Sequence, residues 1–326
     1  MAMSFDVYGI GNALVDVQAK LDDAAFAEII SAEHTHMPDP IGKGNMHLVD
    51  PLYQEHLLKK IGSLERRTVS GGSACNTMIG ISRLGCKAKY AGKVGSDDLG
   101  VFFAEDLNAS GVEYDVPQGE KSTGSCVVLV TPDAQRSMFT DLGISVELKE
   151  DDLDLDAISA SKWVYIEGYL WDAAGPRAAS VRAMEYAKSM GVKVAYSYSD
   201  SFCVERAHAD FKAFTRDFVD LVFCNADEAC AFAEVESVPG AIAAIQKLGA
   251  DVAVTLGKDG STIAFDGYMI DVPPEPVDPI DSTGAGDLYA AGVLAGLCQG
   301  KSITEAGGMG SRLAAQVLTV HGARIP

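Results

Sequence analysis

The sequence lacks the features that mark several large classes of protein. Basic residues are scarce, with 26 Lys and Arg against 46 Asp and Glu, which gives a net charge of −20. This balance argues against general binding to nucleic acid or to an anionic membrane, because either would need a basic face. The seven cysteines are odd in number and form no C-x-x-C pair. This favours reduced thiols in a cytosolic protein over a disulfide framework or a zinc ribbon.

Long apolar runs are also missing. The apolar uncharged stretch at residues 288–300 is interrupted by glycines and is too short to span a bilayer. The first residues contain no basic segment followed by an apolar one, so we expect no signal peptide and a cytoplasmic location. With 326 residues, 48% of them hydrophobic, the chain can form about two domains or one large α/β domain with an appendage.

Strand-like and helix-like segments alternate along most of the chain. This order predicts an α/β fold, with a doubly wound, mostly parallel sheet and helices on both faces. Two stretches contain alternating, strand-like runs instead, and we interpret them as a small β-sheet lid built from separated insertions. The predicted lid comprises residues 13–50 and 113–145, and the predicted large domain comprises residues 1–12, 51–112 and 146–326.

The sharpest motif is Asp281-Ser-Thr-Gly-Ala-Gly-Asp287, directly before an apolar helical segment. Gly284, Ala285 and Gly286 lie where a helix begins, so their amide groups can converge on an anion such as phosphate. Asp287 at the edge of this loop suits a base that takes a proton from a hydroxyl attacking the phosphate. The alternative is a first-turn acid that only interacts with the helix dipole.

Two better-known nucleotide motifs are absent. No G-x-x-x-x-G-K-[ST] sequence occurs, which disfavours a P-loop ATPase. The segment starting at Gly9-Ile-Gly11 lacks the third glycine of a dinucleotide fingerprint, which disfavours a Rossmann dehydrogenase.

A second glycine-rich turn, Gly71-Gly72, leads into a helical segment with Ser73 and Asn76. Together with Asn12 and Asp16 at the end of the first strand, these groups suit vicinal hydroxyls, because carboxylates accept hydrogen bonds and amides both donate and accept them. An equally good interpretation is a structural turn in which Ser73 is the helix N-cap.

Two shorter motifs each follow a predicted strand, Asn225-Ala-Asp-Glu228 and Thr255-Leu-Gly-Lys-Asp-Gly260. Ligands of open α/β sheets bind beyond the carboxyl ends of the strands, so both motifs belong to one rim with the Asp287 loop. Glu228 could contact Mg²⁺ through water, because Mg²⁺ keeps much of its hydration shell.

In this combination the motifs resemble the ribokinase-like (PfkB-type) family of carbohydrate and nucleoside kinases, from Gly9 to about Gly322. Within the family, Gly11-Asn12 and Thr123-Gly-Ser-Cys126 resemble the adenosine kinase branch. The resemblance implies a large α/β domain with a β lid, ATP and Mg²⁺ as cofactors, and a monovalent cation such as K⁺ as an option near residues 278–282. It leaves open a monomer or a homodimer formed through the lids.

The resemblance also implies a role for each matching position. Asp287 would be the base, and the anion hole would consist of Gly284, Ala285 and Gly286. The lid residue Arg136 would approach phosphate on closure, or would be an ordinary surface arginine. The acceptor would be held by Asn12, Asp16, Met46, Gly72, Ser73, Asn76, Cys126, Met138, Leu142 and Tyr169. ATP and Mg²⁺ would be bound by Asn225, Glu228, Thr255, Gly257, Gly260 and Arg312.

The expected reaction is ATP-dependent phosphorylation of the 5′-hydroxyl of a nucleoside, with adenosine as the leading candidate for the acceptor. Two alternatives stay open at this stage: a kinase of the same family acting on ribose, fructose or a related sugar, and a protein that binds nucleosides without catalysis. Apolar candidates such as Met138 and Tyr169 favour a flat base over a free sugar, and the intact loop with Asp287 argues against the non-catalytic alternative.

Overall fold

Two β-sheets organise the residues that the computed structural model describes, which are 4–30, 43–44, 46–133 and 135–325. The strands are β1 (Phe5–Ile10), β2 (Leu14–Lys20), β3 (Met46–Leu48), β4 (Arg66–Gly71), β5 (Ala88–Ala91), β6 (Val112–Tyr114), β7 (Gly124–Val130), β8 (Arg136–Asp141), β9 (Ser161–Glu167), β10 (Lys193–Ser197), β11 (Leu221–Asn225), β12 (Asp251–Thr255), β13 (Ser261–Phe265) and β14 (Tyr268–Val272).

Helices connect most of these strands. The α-helices are α1 (Asp23–Ile30), α2 (Pro51–Lys60), α3 (Ser73–Arg83), α4 (Asp98–Ala109), α5 (Leu155–Ser159), α6 (Ala174–Met190), α7 (Ser201–Arg206), α8 (His208–Asp217), α9 (Ala226–Ala233), α10 (Val238–Lys247), α11 (Ala285–Cys298) and α12 (Ile303–Leu318). Short 3₁₀ turns cover Ile61–Ser63, Gly143–Glu147, Glu150–Asp152, Gly168–Asp172 and Gly257–Asp259. Within the described ranges, no helix has the length and apolar character needed to cross a membrane.

The large sheet has nine strands in the order β14-β13-β12-β11-β10-β9-β1-β5-β6. The seven from β12 to β6 are parallel, and β13 and β14 add an antiparallel hairpin at one edge. The inner strands are buried over almost their whole length, as expected when helices cover both faces. The predicted doubly wound α/β class is therefore confirmed.

The small sheet has five strands in the order β3-β8-β7-β2-β4. Its composition differs from the predicted lid at two places. Residues 66–71, assigned to the large domain from sequence, pair antiparallel with β2 from Leu14–Gly71 to Ala19–Arg66 and so belong to the small sheet. Residues 112–114, partly assigned to the lid, pair with β5 in the large sheet. Both errors have one reason: a short strand's sheet is decided by its partner, which lies far away in sequence. The division into a domain and a moving lid stays a prediction.

The connections between the two sheets bring the polar motifs together. Strand β1 runs from the large sheet into β2 of the small sheet, and β4 returns through Gly72 into helix α3. Helix α3 contacts β1, β5 and helix α11, and α11 contacts α12. The N-termini of α3 and α11 consequently meet beside the carboxyl ends of the parallel strands.

Candidate active site

Helix α11 begins at a loop that is shaped to leave backbone amides accessible. Its N-cap, Gly284, has φ +78°, and a Cβ there would lie 2.5 Å from Cβ of Ala323, so both the backbone conformation and the space require glycine. The amide of Ala285 donates to the carbonyl of Ser282 at 3.2 Å, so it is partly engaged. Gly286 is exposed at the cavity. The loop is therefore suited to an anion, with the amides that follow Ala285 as its main donors.

Asp287 lies in the first turn of α11 and is joined to helix α3 by two hydrogen bonds. Ser73 Oγ donates to Asp287 Oδ1 at 2.6 Å, and Asn76 Nδ2 donates to Asp287 Oδ2 at 3.0 Å. Burial raises the pKa of Asp287 to about 6, and the two hydrogen bonds act in the opposite direction. The carboxylate is thus oriented by fixed donors and is mostly ionised at neutral pH, the state that a general base needs.

The turn before α3 lies opposite α11 in the region where the N-termini of the two helices meet. Gly72 is the N-cap of α3 with φ +98°, and a Cβ there would lie 2.2 Å from the carbonyl oxygen of Asn12. The interpretation of Ser73 as N-cap is therefore wrong: the glycine takes that position, and Ser73 is the first helical residue, with its hydroxyl directed to Asp287.

A cavity of about 420 Å³ lies between the two sheets at this junction. The predicted acceptor residues that line it are Asp16, Gly72, Ser73, Asn76, Cys126, Met138 and Tyr169. Its small-sheet wall follows strand alternation, since Cys126 pairs with Asp16 and with Thr140, and Val128 pairs with Met138. Leu14, Val128 and Thr140 also line this wall, although sequence reasoning did not select them.

Three predicted acceptor residues lie outside the cavity lining. Asn12 is buried behind the Gly72 turn. Met46 pairs with Met138 but belongs to the edge strand β3, where it is 42% exposed. Leu142 follows the end of β8 and caps a 3₁₀ turn.

A buried carboxylate that the sequence reasoning missed stabilises the region where the N-termini of α3 and α11 meet. Glu167, at the end of β9, accepts hydrogen bonds from the amides of Asn12 and Ala74, both at 2.7 Å. Burial raises the pKa of Glu167 to about 7. A Cβ at Gly11 would lie 2.7 Å from its Oε2. The acid at a strand's carboxyl end, next to Gly168, is the signal that could have indicated it.

Arg136 of the small sheet contacts the anion loop, residues 281–286, which lies directly before α11. Its guanidinium donates to the Asp281 carboxylate and to Thr283 Oγ1, and its side chain is 14% exposed. Asp281 also accepts hydrogen bonds from the Thr283 and Gly322 amides. Of the two interpretations of Arg136, that of an ordinary surface arginine is therefore wrong, because both partners lie in the loop before α11.

The motif at β11 and α9 is a capping box. Asn225 Oδ1 accepts from the Glu228 amide at 2.8 Å, and Glu228 Oε2 accepts from the Asn225 amide at 3.1 Å. Both side chains also line the 420 Å³ cavity. Burial raises the pKa of Glu228 to about 7, so a nearby cation would favour its ionised form.

A second, more apolar cavity of about 580 Å³ adjoins the first at the N-terminus of α11. The two cavities share Thr255, Ser282, Ala285, Gly286 and Tyr289. Thr255, Gly257 and Gly260, to which the resemblance assigns ATP binding, line the second cavity together with Pro274, Pro276 and Pro279. Arg312 is exposed on α12 and is not among the lining residues.

The donor set fits Mg²⁺ only in its hydrated form. No group of three or more His, Cys, Asp or Glu side chains that could hold a metal occurs in the described part of the chain. Mg²⁺ at kinase sites is held by one or two carboxylates, waters and substrate phosphates. A single carboxylate at the rim, Glu228, matches that pattern.

These features define a class of protein. An acid at a helix N-terminus, an amide-rich loop and two adjoining cavities on an open α/β sheet are the parts of a kinase that phosphorylates a small-molecule hydroxyl. A family model described as pfkB family carbohydrate kinase matches residues 46–326. The chain belongs to this family.

Individual relatives include kinases of two substrate classes. An adenosine kinase from Sinorhizobium meliloti is 37% identical, with a TM-score of 0.86 over 98% of this chain and 95% of that chain. A probable sugar kinase from Rhizobium etli CFN 42 is 34% identical, with a TM-score of 0.87 over 99% and 96%. A fructokinase from Klebsiella pneumoniae is 28% identical over 245 residues, which cover 70% of this chain and 76% of that protein.

Proposed function

We propose that this kinase transfers the γ-phosphoryl group of ATP to the 5′-hydroxyl of a nucleoside, and that the preferred nucleoside is adenosine. The observation that carries the proposal is the position of Asp287. Its carboxylate lies where the 420 Å³ cavity, with its apolar small-sheet wall, meets the anion loop shared with the second cavity.

The first cavity offers both surfaces that a nucleoside needs. Leu14, Val128 and Met138 provide an apolar wall for a flat base. Asp16 and Asn76 provide acceptors for ribose hydroxyls, and Asn76 Oδ1 is buried with no hydrogen-bond partner among the described residues. A ligand hydroxyl that donates to this oxygen would remove the cost of leaving it unpaired.

The second cavity suits the adenine of ATP. Its prolines and glycines form an apolar space, and the residues that it shares with the first cavity lie at the N-terminus of α11. An ATP molecule with its base among Pro274, Pro276 and Pro279 would place its phosphates on that helix terminus, which favours negative charge.

The reaction then follows from the residues at the junction. Asp287 accepts the proton of the 5′-hydroxyl while the hydroxyl oxygen forms a bond to the γ-phosphorus and the bond from that phosphorus to the β-phosphate oxygen breaks, which yields ADP. Ser73 and Asn76 keep the carboxylate oriented during this transfer. The amides at the start of α11 stabilise negative charge on the transferred group. Mg²⁺ beside Glu228 would supply further neutralisation of the phosphates.

A sugar kinase is the second candidate, favoured by the 34% identity to the probable sugar kinase. The same Asp287 and the same loop would serve it, so the two candidates differ only in how the acceptor fills the first cavity. Purified protein with ATP and Mg²⁺, in a coupled assay of ADP release, tests both. We expect turnover with adenosine at least tenfold above that with ribose, fructose or inosine. A higher kcat/KM for either free sugar would overturn the nucleoside assignment.

A further inference from the structure

The C-terminal segment places an arginine behind the acceptor site that the mechanism above does not use. Arg324 donates through Nε to the Ser70 carbonyl at 3.2 Å, and its Nη2 group contacts the same carbonyl and Ser70 Oγ. Nη2 also lies 3.4 Å from Asp106 Oδ2. The side chain is 11% exposed. The guanidinium is therefore fixed, and its charge is poorly screened by water.

The position of Ser70 brings this fixed charge close to Asp16. In the register of β2 and β4, Ser70 pairs with Val15, and the next pair is Asp16 with Val69. The Asp16 carboxylate lies against Gly71, where a Cβ would be 2.6 Å from both carboxylate oxygens. Asp16 and Arg324 both line a narrow cavity of about 20 Å³.

A nearby positive charge favours the ionised form of Asp16, whose side chain is only partly exposed to solvent. Burial raises its pKa to about 6, and the charges of Arg324 and Arg136 act in the opposite direction, Arg324 more strongly. Arg136 is already engaged with Asp281 and Thr283. The ionisable side chains that face Asp16 or line the narrow cavity with it are Arg67 on β4, Cys75 on α3, Cys126 on β7, Arg136 on β8, Asp287 on α11, and His321 and Arg324 in the C-terminal segment.

We propose that Arg324 is a positioning residue of the acceptor site: held by Ser70 and Asp106, it keeps Asp16 in the ionised form that accepts hydrogen bonds from the acceptor's hydroxyls. This inference rests on the proposed function, because it takes Asp16 as the group that binds those hydroxyls. It assigns to the C-terminal segment an electrostatic effect on acceptor binding and none on the proton transfer at Asp287.

The test compares Arg324→Met, which removes the charge and keeps the bulk, with Arg324→Lys, which keeps the charge. Arg83→Met is the matched control, since Arg83 lines a cavity with Arg324 and donates to the Ile325 carbonyl at 3.3 Å. If the pKa of Asp16 rises by one in the Met variant, its ionised fraction at pH 6.5 falls about threefold. We therefore expect the acceptor KM to rise about threefold at pH 6.5 and to stay within about 1.5-fold at pH 8.5.

In the same variant, kcat at saturating acceptor stays within about twofold, and Arg324→Lys and Arg83→Met behave like the wild type. The inference would be overturned if the ratio of the Arg324→Met KM to the wild-type KM were the same at both pH values. It would also be overturned if Arg324→Lys were as impaired as Arg324→Met. Far-UV circular dichroism and thermal melting check that each variant is folded.

A measurement without substrate separates this inference from the proposed function. Carbon-13 NMR of protein labelled at the Asp carboxyl groups, with the Asp16 signal assigned from Asp16→Asn, gives the titration of Asp16 directly. We expect its midpoint to move upward in Arg324→Met and not in Arg83→Met. An unchanged midpoint refutes the role of Arg324 whatever the acceptor is. A shifted midpoint in a protein that does not phosphorylate adenosine refutes only the nucleoside assignment.

Discussion

Replacing Asp287 with Asn should abolish most activity and make the protein more stable. Asn keeps the shape of the side chain but cannot take the proton of the acceptor hydroxyl. Loss of a general base typically lowers the rate by about 10²–10⁴-fold. We expect kcat to fall within this range, with the acceptor KM changed less than about threefold, because the cavity walls are intact.

The stability change follows from burial of the same carboxylate. Burial raises the pKa of Asp287 to about 6. An ordinary Asp titrates near 4, and a difference of about two in pKa corresponds to about 3 kcal/mol of cost for the ionised form. An Asn amide can accept from Ser73 or from Asn76 but not from both, and losing one hydrogen bond costs about 1 kcal/mol. The variant should therefore gain about 1–2 kcal/mol in unfolding free energy at pH 7.5.

The stability difference between Asp287→Asn and the wild type should depend on pH, because only the wild-type side chain titrates. Native Asp287 keeps its proton up to about pH 6, whereas the unfolded chain loses it near pH 4, so the wild type loses stability from this group as the pH rises from about 4 to 6. The melting temperature of Asp287→Asn should exceed that of the wild type at pH 7.5, and most of this advantage should disappear at pH 4.

Asp227→Asn is the control, since Asp227 is an exposed acid in the first turn of α9 at the same rim. It should change neither kcat nor the melting temperature appreciably. Retention of kcat within a few-fold of the wild type in Asp287→Asn would refute the assignment of the base. A lower melting temperature at pH 7.5 would refute the account of its burial.

Three further variants test other parts of the site. Glu228→Gln should raise the Mg²⁺ concentration for half-maximal activity several-fold without changing the adenosine KM, because an uncharged amide attracts hydrated Mg²⁺ more weakly; an unchanged Mg²⁺ titration contradicts this. Met138→Ala should raise the adenosine KM about tenfold with kcat within about twofold, since it removes part of the apolar wall; an unaltered KM argues against a base at this wall. Gly260→Ala should lower the melting temperature more than Gly267→Ala. Both glycines have positive φ, but only at Gly260 would the Cβ meet a nearby atom, the Val272 carbonyl at 2.2 Å. Equal losses in the two variants would contradict the steric argument.

The parts of the site that could be predicted from sequence are those made by contiguous residues. Gly284 to Asp287 form a loop and a helix N-terminus within a few residues, so their spacing alone indicated the backbone geometry. Asn225 and Glu228 form a capping box for the same reason. The alternation of strands and helices likewise indicated the large sheet, because β9 to β14 follow one another both along the chain and across the sheet, whereas the pairing of β1 with β5 and β9 joins distant segments.

The parts that could not be predicted depend on pairing between distant segments. Strand β4 belongs to the small sheet because of its pairing with β2, about fifty residues earlier. Glu167 and Arg324 contact backbone groups of Asn12 and Ser70, which lie 155 and 254 residues away in sequence, so the partners could not be predicted from the local sequence. Met46 was assigned to the acceptor pocket from sequence, yet its strand lies at the sheet edge. The oligomeric state and the need for a monovalent cation stay predictions.

The most direct test of the central claim is identification of the phosphorylated product. Wild-type protein is incubated with adenosine, ATP and Mg²⁺, and phosphorus NMR and mass spectrometry follow the products; 5′-deoxyadenosine, which lacks only the reacting hydroxyl, is the control acceptor. We expect one AMP for each ADP formed from adenosine, no phosphorylated product from 5′-deoxyadenosine, and AMP formation reduced at least about 100-fold in Asp287→Asn. Formation of ADP without AMP, or of AMP at an undiminished rate by Asp287→Asn, would contradict it.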